Sequence, residues 1–271
     1  MKAQLRSLVQ TLSPGLLNRY RSHRLHAYFR SRYGSLQNEA YQVLFEDGPP
    51  KVLSGPFAGM PYLNEVIWGP ITPKWIGSYE AELHGVVEQL IAGQYRRIVN
   101  VGCAEGYYAV GLARRIPNAN VVAFDLDPIA RKQTARLASL VGVADRVEVR
   151  GNCTAPVLDE LVGYRTLLGV DIEGFEIQLL DPQTVRNLAR TSLLVEIHPS
   201  PPFDLAGVAK MLGDRFEPTH SLCWFSSESR NAQVDRYKSL WEGKISAERF
   251  AEYLDESRSE PQRWLWAEPK S

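Results

Sequence analysis

Three groups of residues in this 271-residue chain are of types that could do chemistry together. The first is Val99-Asn100-Val101-Gly102-Cys103-Ala104-Glu105-Gly106-Tyr107-Tyr108, an apolar run followed by a turn with two glycines. Gly102 and Gly106 supply the φ freedom and close backbone approach that a ligand-cradling turn needs. The second is Asp125, nineteen residues beyond Gly106, at the end of another apolar run. A carboxylate there can accept hydrogen bonds from both hydroxyls of a ribose. Asp171, Glu173 and His198 form the third group: two acids and an imidazole whose ordinary pKa suits proton transfer near neutrality.

Three ligands compete for the glycine turn. A dinucleotide needs Gly-x-Gly-x-x-Gly, whose middle glycine lets a pyrophosphate sit on the helix N-terminus. Here that position is Ala104, and Glu105 would set negative charge beside the pyrophosphate. A nucleoside triphosphate calls for a lysine after the last glycine, where this chain has Tyr107. S-adenosylmethionine (SAM) has an adenosine and an amino acid but no phosphate. An acid in the turn is then acceptable and can help hold the cationic ammonium or sulfonium. Charge favours SAM, and the placement of Asp125 disfavours a turn that binds nothing.

These segments resemble a class I SAM-dependent methyltransferase and, within that group, the FkbM family. Residues 99–108 are similar to its first motif, and Val122-Ala123-Phe124-Asp125-Leu126-Asp127-Pro128 to its ribose segment. Gly169-Val170-Asp171-Ile172-Glu173-Gly174-Phe175-Glu176 is similar to its Lys-Ile-Asp-Val-Glu-Gly-Ala-Glu signature, with Gly169 where the family often has lysine. Val195-Glu196-Ile197-His198 resembles the ending of its fifth strand. The likeness covers about residues 97–200. It implies that Gly102, Cys103, Ala104, Glu105 and Gly106 surround the methionine part of SAM, with Asp125 on the ribose and Leu126 flanking the adenine. It also implies Asn152 or Cys153 at the adenine edge, and Asp171 on the SAM ammonium or the acceptor. The activity implied is O-methylation of a hydroxyl on a sugar, glycolipid or secondary metabolite. N-methylation of a small amine, or a SAM-binding scaffold without catalysis, are the alternatives.

Methyl transfer from a sulfonium is an in-line displacement helped by holding donor and acceptor at near-attack distance. An alcohol must lose its proton during attack, so a base or a metal is useful. His198 is the expected base, with Asp171 and Glu173 facing the same crevice; a ring that merely orients the loop before Pro199 is its structural alternative. A Mg²⁺ ion held by Asp171 and Glu173 ranks second, two acids being few for that task. Glu173 also has a helix-capping role open to it, and Glu196 lies too deep in its strand to be a free base. Tyr79 and Glu80 are placed to close over the methionine end of SAM. Trp68, Trp75 and Tyr62 are placed either to wall the acceptor pocket or to fill the core. His23, His26, His84 and His220 show no metal-ligand spacing and read as surface or packing residues.

The elements that must position these groups follow from hydrophobic pattern. Strands are expected at Arg97–Val101, Val121–Asp125, Val147–Arg150, Thr166–Asp171 and Leu193–Ile197. Helices fall between them at Tyr107–Ile116, Pro128–Val141, Phe175–Ala189 (broken at Asp181-Pro182) and Leu205–Leu212. His220–Phe225 and Arg263–Trp266 read as a final antiparallel pair around a helical insertion at 235–257. The fold class is therefore α/β: a Rossmann-like sheet of seven strands, mostly parallel, with the last antiparallel. Upstream, residues 1–45 read as a basic helical arm of two short helices separated at Ser13-Pro14-Gly15. Residues 46–80 read as a Gly/Pro/aromatic cap with a hairpin of Lys51–Ser54 and Met60–Leu63, and a helix follows at Tyr79–Ala92. The methyltransferase-like domain occupies 81–271.

Composition sets the remaining bounds. Lys+Arg and Asp+Glu each total 31, which argues against chain-wide affinity for nucleic acid or an anionic membrane. The balance is uneven, because residues 1–40 carry seven basic residues against Glu39 alone. Docking of the arm on its own domain or on a neighbour in a homodimer is expected, with a membrane-surface anchor the minority reading. Cys103, Cys153 and Cys223 form no paired framework, which fits a reducing compartment. No apolar stretch is long enough to span a membrane, and no secretory signal is evident. The cytoplasm is the expected location, and the expected partner is a small-molecule or glycan acceptor.

Overall fold

The computed structural model describes residues 14–65, 68–258 and 261–270, with the side chains of 14–22, 231 and 232 left aside. The first of the two expected arm helices, around Leu5–Leu12, lies outside the described residues. Helix α1 spans Pro14–Phe45, α2 Thr72–Ile76 and α3 His84–Ala92. The alternating core follows: β1 (Arg97–Val101), α4 (Tyr107–Arg115), β2 (Asn120–Phe124), α5 (Pro128–Val141), β3 (Val147–Arg150), α6 (Ala155–Leu161) and β4 (Thr166–Val170). It continues with α7 (Glu176–Leu179), β5 (Ser192–Ile197), α8 (Leu205–Phe216) and β6 (His220–Ser226). The chain ends with α9 (Lys238–Trp241), α10 (Ala247–Leu254) and β7 (Arg263–Pro269).

The sheet order is β3-β2-β1-β4-β5-β7-β6. Strands β1 to β5 are parallel, and β7 runs antiparallel between β5 and β6. This is the expected seven-stranded, mostly parallel Rossmann-like sheet. Successive side chains of a strand point to opposite faces, so Ile98 packs on one core and Val99 and Val101 on the other. Both faces are covered, which is why the central strands are nearly continuous apolar runs. Strand order reverses between β1 and β4, and a doubly wound sheet opens its ligand crevice at that reversal.

Local signals account for the clearest boundaries. Asp127 caps α5 by accepting from the Ile129 N–H at 2.8 Å, Pro128 occupies the first turn, and Gly142 (φ +79°) stops the helix. The break at Asp181-Pro182 leaves only the short α7 and a 3₁₀ turn at Arg186–Arg190.

Three expectations change. The second arm helix continues without a break to Phe45, because residues 26, 29, 33, 37, 40 and 44 recur at helical spacing against the domain. The cap hairpin reduces to one antiparallel bridge, Lys51 to Pro61. The insertion is three short pieces, a 3₁₀ turn at Arg230–Tyr237 followed by α9 and α10, rather than one long helix. Among the described residues no helix is long and apolar enough to cross a membrane.

Trp75 and Tyr62 are core residues, 0% and 2% exposed. The Trp75 ring meets Tyr41 and Phe45 of α1, and its indole N–H donates to the Leu63 carbonyl at 2.9 Å. Trp75→Ala should therefore lower unfolding free energy by about 3–5 kcal/mol, read as a shift in the urea midpoint. A shift below about 1 kcal/mol would mean that the cap does not anchor α1.

Candidate functional site

Gly102 leaves β1 at φ +82°, and a Cβ built on it would lie 1.6 Å from the Asp171 carbonyl oxygen. Only glycine lets the exits of β1 and β4 touch here. The next turn residue, Ala104, is held at φ +46°, and its N–H donates to Asp125 Oδ2 at 2.9 Å. Asp125 Oδ1 accepts from the Asp127 N–H at 2.8 Å. Asp125 thus ties the turn to the end of β2. Burial pushes its pKa up to about 6, while the two N–H bonds pull the other way. Asp127 pairs with His26 of α1, Nε2 to Oδ2 at 2.7 Å, and His26 is 1% exposed with its ring edge-on to Trp68. Helix α1 is in this way fixed across the crevice mouth, where Leu25, Phe29 and Tyr33 join Trp68 as its outer wall.

The resulting cleft has a volume of about 1040 Å³. Of the predicted site residues, Tyr79, Gly102, Ala104, Asp125, Leu126, Asn152, Cys153, Asp171, Glu173 and His198 line it. Four do not. Cys103 is buried against Thr134, and Gly106 turns into α4. The Glu105 carboxylate faces away, ion-paired to buried Lys74 and accepting from the Tyr62 hydroxyl at 2.8 Å. Its charge is already neutralised and cannot serve a ligand cation. Glu80 lies behind Tyr79 and is bonded to Arg258. Trp68 is on the wall as expected, whereas Trp75 and Tyr62 belong to the core.

The acid end of the cleft is built where β4 and β5 stop. Gly174 (φ +102°) would collide with the Pro199 carbonyl, 2.6 Å from a Cβ, so the two loops are in contact. His198 Nδ1 is 2.9 Å from Glu176 Oε1, and Glu176 is fully buried. The other ring nitrogen, Nε2, lies 3.7 Å from each of Asp171 Oδ1, Glu173 Oε2 and Glu196 Oε1. Burial works to lower the His198 pKa, but the Glu176 bond and the charges of Asp171, Glu173 and Glu176 outweigh it and raise it. Desolvation within the cleft raises Asp171, to about 7, although its side chain keeps 42% exposure; the His198 charge pulls the other way, and Glu80 and Glu173 add to the rise.

Glu196 is buried, as its strand position suggests, and is not a free base. Its carboxylate reaches the cleft and bonds Arg258 Nη1 at 2.8 Å. Arg258 also bonds Glu80 (Nη2, 2.7 Å) and Glu256 (Nε, 2.7 Å) and lies over the rings of Tyr79 and Trp264. Arg230 bonds Glu82 at 3.0 Å and the second oxygen of Glu256 at 2.7 Å. Sequence reasoning missed this network and Glu176, because no linear spacing links residues up to 178 positions apart. The one available signal for Glu176 was its place at the end of the Asp171–Glu176 segment.

Asp171, Glu196 and His198 bring ligand-type atoms within 4.8 Å of one another, a different set from Asp171 with Glu173. Arg258 already holds Glu196 in a charge-assisted bond, so the set offers one uncommitted acid and one imidazole. That does not fit a divalent ion, which wants several oxygen ligands.

No protein-family profile matches the chain. Over 69 residues it is 35% identical to the release factor glutamine methyltransferase of Cereibacter sphaeroides, a stretch covering 26% of this chain and 25% of that protein. Among solved structures it is similar to the O-methyltransferase TomG of Streptomyces achromogenes, determined with SAM: 15% identity over 91% of this chain and 98% of that one, TM-score 0.46. An O-methyltransferase from Bacillus cereus, determined with S-adenosylhomocysteine, has 11% identity over 91% and 99%, TM-score 0.47.

Asp125, Asp171 and Glu256 have folded-state pKa values of about 6, 7 and 7, above their ordinary 3.8 and 4.5. Between those limits the native chain keeps protons that the unfolded chain has released. Their contribution to stability therefore falls as pH rises through that window and is constant above it. Asp125→Asn should gain on the wild type from about pH 4 to about pH 6 and hold the lead beyond. Urea midpoints across that range check it, and parallel curves would be the contrary result.

Proposed function

We propose that this chain is a SAM-dependent methyltransferase that transfers methyl to a hydroxyl of a sugar, glycolipid or secondary metabolite, with His198 as general base. The observation that carries the reading is the charge of the cleft. Among the described residues its two basic side chains, Lys74 and Arg258, are each committed to buried acids, so neither is available for a pyrophosphate or triphosphate. The lining carboxylates Asp125 and Asp171 instead suit a cationic ligand. The FkbM-like resemblance of Asp171-Ile172-Glu173-Gly174 supports the same assignment.

Bound SAM supplies an electrophilic methyl on a sulfonium. The chain's own residues do the rest. Gly102 and Ala104 would let the ligand lie against the turn and Asp125 would accept from the ribose hydroxyls; Leu126, 69% exposed, would flank the adenine, with Asn152 or Cys153 at its edge. Asp171 takes the ligand ammonium or the acceptor hydroxyl. His198 Nε2, directed at the cleft, receives the hydroxyl proton. Phe29, Tyr33 and Trp68 offer flat apolar surface to a sugar ring or an aromatic acceptor. A hydroxyl acceptor is favoured over an amine because the surrounding carboxylates would hold an amine protonated and without its lone pair.

Isothermal titration with SAM is the direct test. Wild type should bind it, and Asp125→Ala should weaken binding by roughly tenfold or more. No heat with wild type, or none lost with Asp125→Ala, sinks the assignment. An acceptor screen read by S-adenosylhomocysteine release should then show His198→Ala slower by about 10²–10⁴. Near-normal turnover would remove His198 as the base and leave N-methylation in its place; no release from any acceptor class points to a binding scaffold.

A further inference from the structure

We infer that Glu176, buried beneath the β4 and β5 loops, is the positioning residue that sets the tautomer of His198 and leaves Nε2 bare toward the cleft. The inference rests on the reading of His198 as general base. Four carboxylates from three elements surround the imidazole: Asp171 and Glu173 after β4, Glu176 at the start of α7, and Glu196 at the end of β5. Arg258 faces the group through Glu196, and Glu80 adds charge behind it. Only Glu176 is within hydrogen-bond reach, at 2.9 Å; the other three stand at 3.7 Å from the opposite nitrogen, too far to bond it.

This arrangement decides between two tautomers that electrostatics alone would order the other way. Three acids facing Nε2 favour a proton on Nε2, which would make His198 a donor and useless as a base. The Nδ1–H to Glu176 bond opposes them with a direct contact. A base must present an unprotonated nitrogen to the hydroxyl it serves, and the partner of the far nitrogen fixes which one that is.

Glu176 is itself held for this task. Its Oε1 also accepts from the Gly174 N–H at 3.2 Å and the Ile172 N–H at 3.4 Å, which fixes the carboxylate to the loop carrying Asp171 and Glu173. Its Oε2 is buried without a hydrogen-bond partner among the described residues. A buried carboxylate oxygen left unpaired costs stability, and a merely structural loop staple would be served as well by a neutral glutamine. The charge is what the imidazole uses.

The test reads the proton directly and needs no acceptor. Long-range ¹H–¹⁵N spectra of the full chain, with His198 assigned by loss of its signals in His198→Gln, should show neutral His198 protonated on Nδ1. In Glu176→Gln, which keeps a carbonyl for the two loop N–H groups, the proton affinity of His198 should fall roughly tenfold or more. Wild-type His198 protonated on Nε2, or a Glu176→Gln titration within about twofold of wild type, would overturn the inference. The wild-type tautomer decides the matter even if the variant does not fold. S-adenosylhomocysteine added to the same samples separates the two readings: failure to bind removes methyl transfer and leaves the tautomer result standing.

Discussion

Arg258 sits where three parts of the chain meet, and its guanidinium bonds one carboxylate from each: Glu80 of the cap, Glu196 of β5 and Glu256 of the insertion. Arg230 extends the set to Glu82. Removing a charge from water costs several kcal/mol, and only good geometry with a counter-charge offsets it. Four acids each at most 7% exposed are therefore tolerable only with both arginines in place. The network fixes the cap and the insertion onto the carboxyl ends of the strands, and with them one wall of the cleft. Asp171, which has no arginine of its own in this network, is left next to it facing the open space.

The same rule of local compensation runs through the glycine turn. Lys74 from α2 neutralises Glu105 behind the turn, and His26 from α1 pairs with Asp127 beyond β2. Acids behind the wall are paired, while those in front, Asp125 and Asp171, are bonded to N–H groups or exposed in the cleft. The negative potential of the cleft thus arises from few groups held in fixed positions. In a partly enclosed cavity such fixed charges act more strongly than they would in bulk water.

What could be read from the sequence divides along physical lines. β1, β3 and α5 begin and end where their patterns place them, because continuous apolar runs, an Asp-Pro start and a glycine stop are local signals. The crevice residues Gly102, Asp125, Asp171 and His198 were legible for the same reason: each ends a strand, and strand ends in this topology converge. Glu105 misled because its partner, Lys74, lies 31 residues upstream in a segment with no periodic pattern. Arg258, Glu80 and Glu196 were illegible as a group because their pairing is tertiary throughout. Tyr62, Trp75 and Trp68 look alike in the sequence, and only packing separates two core residues from one on the cleft wall.

The uneven charge of the chain has a different meaning in three dimensions from the one its sequence suggests. A surplus of six positive charges in the first forty residues invites electrostatic docking onto the acidic remainder. Over residues 23–45 the helix docks on its own domain by other means: the buried His26–Asp127 pair, Gln37 to Asn64 at 2.8 Å, the Tyr41 hydroxyl to the Gly48 carbonyl, and aromatic rings on Trp68 and Trp75. Among the described residues the ion pair from the helix to the insertion reverses the expected polarity, since it is the arm's single acid, Glu39, that meets Arg249 and accepts from Tyr253. Arg24, Arg30 and Arg32 lie on the exposed face. Exposed charges at such positions contribute little to holding a helix in place, whereas a buried imidazole–carboxylate contact and packed aromatics contribute much more. Over the described residues the position of α1 across the cleft is therefore set by shape and hydrogen bonding.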